Sequence, residues 1–483
     1  MRAEEAQSRL ARARSAQVNW AALSVTQRAR ALRPLRHVIA QRMDEIIGVI
    51  SAEVGKPPMD ALVGDLLVTL EQLRFYERRA SHILRPRRVG APTPFYWGTR
   101  FVEISEPHGV VLVCAPWNYP LQLSLVPTAT ALFAGNAVLL KCSEHAPRTA
   151  RLIEDLCATA GLPRDLVQVS CEPPDEASAL LDAAADFIFF TGSARNGRIV
   201  AAKAAAQMVP CVMELGGKDP ALVFSSCNLE RTVKGLVYGA FSNSGQVCIG
   251  TKRIYVQQPI FDEFQRLFLE KLHLLRSGTT VESDIAPIRL QTVRWQMLDQ
   301  VRDAIALGAK LHTPEPAGTE AIAPAVLTDV PAGAALLTDE SFGPVVCIAP
   351  FESEAEAVVL ANSSAFALSA SIWTARSTQA TRVALQLDCG SCVINDVIRS
   401  IGNPQAAFGG NKSSGYGRYH GAEGLHTFSR VKSIMTVHRL SRTEIHWFPF
   451  RRRTFAQLRW VLRLRHGRSF LDAVKNLAGL WGP

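Results

Sequence analysis

Residues 109–144 read GVVLVCAPWNYPLQLSLVPTATALFAGNAVLLKCSE. Gly109 to Ala115 is an apolar, β-rich run that stops at Pro116, a residue unable to donate to a sheet ladder. Leu121 to Phe133 has the length and composition of a helix, and Asn136 to Lys141 is a second apolar run. Strand, helix and strand in this order form a β-α-β unit, whose two strands lie parallel. Glu144 falls just beyond the second strand, where an acidic residue commonly hydrogen-bonds the ribose hydroxyls of a dinucleotide. The usual Gly-x-Gly-x-x-Gly fingerprint is absent. The nearest phosphate loop is Gly192-Ser193-Ala194-Arg195-Asn196-Gly197, after an apolar run at 187–190, and by itself it is a weak nucleotide signal.

Working outward, Leu166–Ser170, Phe187–Phe190, Pro210–Met213 and Ala221–Phe224 are further strands, separated by Ala-rich helical stretches. This alternation predicts an α/β chain with parallel sheets covered on their faces. Upstream, residues 4–54 read as two helices broken at Trp20–Thr26, the second striped by Leu32, Leu35, Val38, Ile39 and Met43. Another helix runs to about Ser81. Leu84–Gly98, rich in Arg, Pro and Gly, reads as an extended excursion.

A length of 483 residues exceeds one compact core and implies two or three domains. Hydrophobic residues make up 48% and charged residues 20%, which excludes a wholly disordered chain. Ten cysteines without framework spacing imply reduced thiols in a cytoplasmic compartment. The CxxC at Cys389-Gly390-Ser391-Cys392 has no second pair, so no metal site is expected. The N-terminus has no secretory signature, and no run reaches the roughly 20 apolar residues of a membrane span.

Seven motifs in order then become informative together. They are Pro116-Trp117-Asn118-Tyr119-Pro120, Lys141 with Glu144, Phe190-Thr191-Gly192-Ser193, and Glu214-Leu215-Gly216-Gly217-Lys218. Gly245-Gln246-Val247-Cys248, Glu340-Ser341-Phe342-Gly343-Pro344-Val345, and Phe408-Gly409-Gly410 through Ser414 to Tyr419-His420-Gly421 complete the series. The chain resembles the aldehyde dehydrogenase superfamily over roughly residues 5–435. The short N-terminal region and the Gly-x-Tyr-His-Gly ending are similar to the class 3 branch of medium- and long-chain fatty aldehyde enzymes. Cys142 after Lys141, and Asp219 after Lys218, depart from the usual pattern without replacing a key residue.

The resemblance implies the aldehyde dehydrogenase fold. A Rossmann-like cofactor domain would take 1–84 and 104–212, an α/β catalytic domain 213–424, and a bridging and oligomerisation element 85–103 and 425–440. It implies a homodimer. It also implies oxidation of an aldehyde to a carboxylate with NAD as cofactor, NADP being accepted by many class 3 relatives. The catalytic residues would be Cys248 as nucleophile, Glu214 as general base and Asn118 as oxyanion donor alongside the Cys248 backbone N–H. Cofactor contacts would come from Lys141, Glu144, Gly192, Ser193, Gly197, Glu340 and Phe342. These residue types suit the chemistry. An aldehyde releases hydride only after a nucleophile has made its carbon tetrahedral, and a thiolate is a strong nucleophile near neutral pH. The resulting oxyanion needs fixed donors, and the thioester needs an activated water. Two other readings stay open: a relative that passes the acyl group to coenzyme A or runs toward aldehyde, and a non-enzymatic membrane-associated protein on the same fold. Glu214 argues against the first, and the complete set Cys248, Glu214, Asn118 and Glu340 against the second.

The net charge of +10 is concentrated at the C-terminus. From Val431 onward there are eleven Lys or Arg against Glu444 and Asp472, so the rest of the chain is nearly neutral. Within 441–483, Trp447-Phe448-Pro449-Phe450 precedes Arg451-Arg452-Arg453. Phe455, Leu458, Leu462, Leu471, Val474, Leu477 and Trp481 then recur at helical steps, with Arg459, Arg463 and Arg468 among them. A basic amphipathic tail suits an anionic membrane surface and a lipophilic long-chain or isoprenoid substrate. Packing on a protein subunit is the alternative, and no nucleic-acid partner is expected.

Overall fold

The computed structural model describes residues 2–90, 94–96, 98–313, 324–438, 444 and 446–467. Two main sheets organise the larger unit. The first has six strands, in the order 415–416, 211–214, 187–191, 110–114, 137–141 and 167–170. All neighbours are parallel except Gly415–Tyr416, which runs antiparallel to Cys211–Glu214. The chain winds from 110–114 outward to 167–170, then returns to the opposite side of 110–114 at 187–191. That reversal creates a crevice at the carboxyl ends of the 110–114 and 187–191 strands, where open α/β sheets bind ligands. The helix Gln122–Ala134 is buried along its whole length, as an all-round apolar helix must be.

The second sheet has seven strands, in the order 310–311, 325–328, 345–351, 251–257, 219–223, 369–373 and 391–394. It is parallel apart from Lys310–Leu311.

The N-terminal region forms three helices before Gly55, Ala3–Ala22, Val25–Gln41 and Met43–Val54, rather than the two expected. Ser24 and Gln27 make a reciprocal capping box at the first break. The second break is at Arg42, whose φ of −100° and ψ of 21° leave the helical region. Its guanidinium holds Glu45 at 2.8 Å and Asp155, on another helix, at 2.5 Å. The helix expected to end near Ser81 ends at Ile83 and begins with a π-helical turn over Ala61–Leu67.

A separate unit comprises Pro86–Glu103 and Ser433–Pro483. In it Arg87–Val89 pairs antiparallel with the strand starting at Thr99, Val89 facing Phe101. The tail contributes a helix, Arg452–His466, on which Phe455 and Leu462 are exposed. Arg468, Leu471, Val474, Leu477 and Trp481 lie outside the described residues. Among the described residues, no helix is long and apolar enough to cross a membrane.

Candidate active site

A cavity of about 680 Å³ opens at the crevice of the six-stranded sheet. Lys141, Glu144, Gly192 and Ser193 all line it. Lys141 ends its strand and holds Glu144 through an ion pair of 3.0 Å. Ser193 caps the helix Ala194–Ala206, accepting from the Asn196 N–H, so a helix N-terminus faces the cavity. Thr191 also lines it, and its buried hydroxyl has no protein partner. A cation, a carboxylate, a helix N-terminus and an unpartnered hydroxyl around one crevice fit a dinucleotide. Gly197, Glu340 and Phe342 do not line this cavity. Gly197 instead lets its helix approach Leu215, since a Cβ there would lie 2.4 Å from Leu215 Cδ2. Phe342 packs edge-on against Trp117, which does line the cavity, at 5.8 Å.

Cys248 opens onto a second cavity of about 350 Å³. Its walls are mostly apolar, with Val63, Leu67, Tyr119, Val247, Ile401 and Phe408 among them. The turn bearing Cys248 precedes the strand Thr251–Gln257 and follows a backbone that few sequences adopt. Asn243 and Ser244 have φ of 47° and 55°, and Gly245 has φ of 74°. Non-glycine residues occupy this left-handed region only when their surroundings hold them there. Here Ser244 Oγ donates to Ala286 O at 2.6 Å and accepts from Ala286 N at 2.9 Å. Lys252 Nζ bridges Gly245 O and Gly343 O. A Cβ at Gly245 would lie 2.2 Å from Gly343 O, so that position requires glycine.

Asn118 is buried, and its side-chain amide donates to Gln246 O at 3.0 Å. An amide carries two N–H bonds. One fixes Asn118 beside the Cys248 loop, and the second makes no hydrogen bond to the described residues. Glu214 ends the strand Cys211–Glu214 and is buried, with Oε1 unpartnered. Burial pushes its carboxyl well above the usual range, against the opposing pull of Arg418. Part of Cys248 stays open to the cavity. Even so, desolvation by the surrounding apolar mass raises its thiol far above the ordinary value, and the carboxylates of Asp219, Glu214 and Glu340 add to this. Glu340 lies over Gly216, where any Cβ would come within 2.0 Å of Oε1. Burial raises it to about 7, with Lys218 and Lys252 opposing.

The structure thus gathers four predicted cofactor residues round the first cavity and opens Cys248 onto the second, with Asn118 hydrogen-bonded to the Cys248 loop and Glu214 near enough to raise the Cys248 thiol. It also brings in residues that sequence reasoning passed over. Lys56, Asp60 and Asp65 reach this region from the N-terminal helices, and Tyr119 and Tyr419 line the apolar cavity. Tyr119 lies inside the Pro116–Pro120 motif and Tyr419 inside the 408–421 motif, so the motifs themselves carried the signal for both. No local signal marks Lys56.

Comparison with known proteins identifies the family. The aldehyde dehydrogenase family profile matches residues 1–434. The 4,4'-diapolycopene aldehyde oxidase of Methylomonas sp is 41% identical over 445 residues, covering 92% of this chain and 84% of that one. The aldehyde dehydrogenase of Mycobacterium tuberculosis complexed with NAD+ superposes with a TM-score of 0.85 at 28% identity, covering 90% of each chain. An NAD-dependent aldehyde dehydrogenase of Sinorhizobium meliloti gives a TM-score of 0.86 at 29% identity, covering 92% of this chain and 89% of that one. With the family profile matched over residues 1–434 and a relative 41% identical over 92% of the chain, the protein belongs to the aldehyde dehydrogenase family.

Proposed function

We propose that the enzyme oxidises a lipophilic aldehyde, long-chain or isoprenoid, to its carboxylate with NAD(P), through a thioester on Cys248. The observation that carries this reading is the placement of Cys248 on a mostly apolar cavity distinct from the crevice of the six-stranded sheet. The relative from Methylomonas, named for an aldehyde of diapolycopene, supports the substrate class.

The chain's own residues account for each remaining part. The Cys248 thiolate, its proton given up to solvent, attacks the aldehyde carbon, and the carbonyl oxygen becomes an oxyanion. The free N–H of Asn118 and the Cys248 backbone N–H hold that charge. Collapse of the adduct expels hydride, which NAD(P) would accept when bound, and leaves an acyl group on sulfur. Glu214 then takes a proton from water as the new C–O bond forms and the C–S bond breaks, restoring the thiol. Lys141, Glu144, Gly192 and Ser193 would hold the cofactor, with Glu340 and Phe342 near its reactive end and Gly197 setting the loop. Glu144 favours NAD, since its charge repels a 2′-phosphate.

Both working groups are raised. More Cys248 becomes thiolate and more Glu214 becomes carboxylate as pH rises. Reduced-cofactor formation, followed by absorbance across short-chain to isoprenoid aldehydes, should therefore increase in kcat/KM with chain length. With any one aldehyde it should climb from neutral into alkaline pH. A preference for short aldehydes, or a rate falling above neutrality, would contradict the reading.

We assign the basic tail to an anionic membrane surface, with a homodimer bridged by the strands at 87–89, 99–107 and 429–437. Exposed Trp447, Phe448 and Phe450 beside Arg451, Arg452 and Arg453 support the tail's role. Full-length protein should float with anionic liposomes and scatter light as a dimer, while a truncation after Thr436 stays in the dense fraction. Equal flotation of both forms would end the membrane assignment.

A further inference from the structure

We propose that Lys56, Asp60 and Asp65 form a clasp that positions the two oxyanion donors, a proposal that rests on the Cys248 reading above. These residues are remote from Asn118 and Cys248 in sequence, and no motif marks them.

Lys56 and Asp65 are fully buried and paired at 2.9 Å. A buried ion pair is weak evidence of stabilisation, because both ions lose their hydration. What these two hold is more telling. Lys56 Nζ also donates to the backbone oxygen of Asn118 at 2.5 Å, and sits 3.9 Å from the centre of the Tyr119 ring. Asp65 Oδ1 accepts from the backbone N–H groups of Leu121 and Gln122 at 3.0 and 3.2 Å. The turn from Pro116 to Pro120 is therefore gripped at its carbonyl by one partner and at the following amides by the other. Asp60 reaches the opposite donor, since its Oδ2 accepts from the N–H of Asn243 at 2.9 Å, in the left-handed loop leading to Cys248. Asn243 closes the circuit, its amide donating to both Asn118 O and Gln246 O at 3.2 Å.

The π-helical turn Ala61–Leu67 is what allows one segment to serve both loops. On an α-helix, residues five apart diverge by about 140°. The wider π-turn, with its i to i+5 bonding, swings Asp65 back toward the side of Asp60. It also seats Gly64 beneath Tyr119, where a Cβ would lie 2.3 Å from the ring. Lys56 and Asp65 line neither cavity, whereas Asp60 also lines the apolar one. The clasp acts through Asn118 and the Cys248 loop.

The test is the doubly substituted full-length chain Lys56→Met with Asp65→Asn. This pair removes both charges together. The amide oxygen that Asp65→Asn leaves in place can still accept from Leu121 and Gln122, so the pair removes the Lys56 bond to Asn118 O together with its contact over the Tyr119 ring. Misplacement of a reacting group by about 1 Å costs on the order of 100-fold in rate. The double variant should retain the wild-type melting transition and cofactor affinity, and keep KM for aldehyde within about twofold, while kcat falls about 100-fold. Lys56→Arg, which can donate to both partners, should recover kcat to within about tenfold of wild type. Asp60→Ala tests the same clasp from the other loop, should the double variant not fold, and should lower kcat about tenfold with cofactor affinity unchanged; KM for aldehyde is not the readout there, because Asp60 lines the apolar cavity. A folded double variant with wild-type kcat, or an Asp60→Ala protein with wild-type kcat, would overturn the clasp. Cys248→Ala run in parallel separates the two claims: activity surviving there overturns the nucleophile reading instead.

Discussion

Replacing Cys248 by alanine should lower aldehyde oxidation by at least about 10⁴-fold, since removing the nucleophile from a covalent mechanism leaves only binding and oxyanion stabilisation. The substitution removes one small side chain from a half-open position, so the melting transition should move little. Cofactor affinity should be unchanged, because Cys248 does not line the dinucleotide crevice. Steady-state turnover with the substituted protein measures the first effect, and fluorescence titration with NAD(P) the second. Cys114 does line the crevice, so Cys114→Ala is the matching control and should keep turnover. Turnover within tenfold of wild type would remove Cys248 from the mechanism.

The second large effect is expected at Glu214. Glutamine there keeps the volume and loses the basic oxygen, so attack and hydride release should proceed while thioester hydrolysis stalls. Rapid mixing should show a burst of about one reduced cofactor per subunit, followed by a steady rate lower by roughly 10²–10⁴-fold, the usual worth of a general base. Because Glu214 Oε1 has no protein partner, the amide inherits no lost hydrogen bond at that atom. A variant slowed equally in burst and steady phases would place Glu214 before the thioester rather than after it.

Much of this was legible in the sequence, for a physical reason. The strands at 110–114, 137–141 and 187–191 are buried on both faces, so they read as unbroken apolar runs. Their helices and the motif order carried the first sheet and the candidate residues. The seven-stranded sheet was less readable. Its strand Thr251–Gln257 contains Lys252 and Arg253, charged residues that composition assigns to the surface. Both are buried, and their charge is met by carbonyls: Gly245 and Gly343 for Lys252, and Lys218, Leu360 and Ala361 for Arg253. Lys56 was hidden in the same way. Nor does any residue pattern announce a π-turn or the break at Arg42, because both depend on partners distant in the chain. The helical stripe expected through Met43 was real, but the helix carrying it ends at Gln41, and Met43 opens the next one.

The most direct test of the central claim is the mass of the acylated enzyme. Glu214→Gln protein would be mixed with NAD(P) and a long-chain aldehyde, quenched in acid during the burst, and digested for mass spectrometry. The peptide containing Cys248 should gain the mass of the aldehyde less two hydrogens, which is the acyl group in place of the thiol proton. Reduced cofactor formed with no such adduct, or an adduct on another cysteine, would contradict the thioester account.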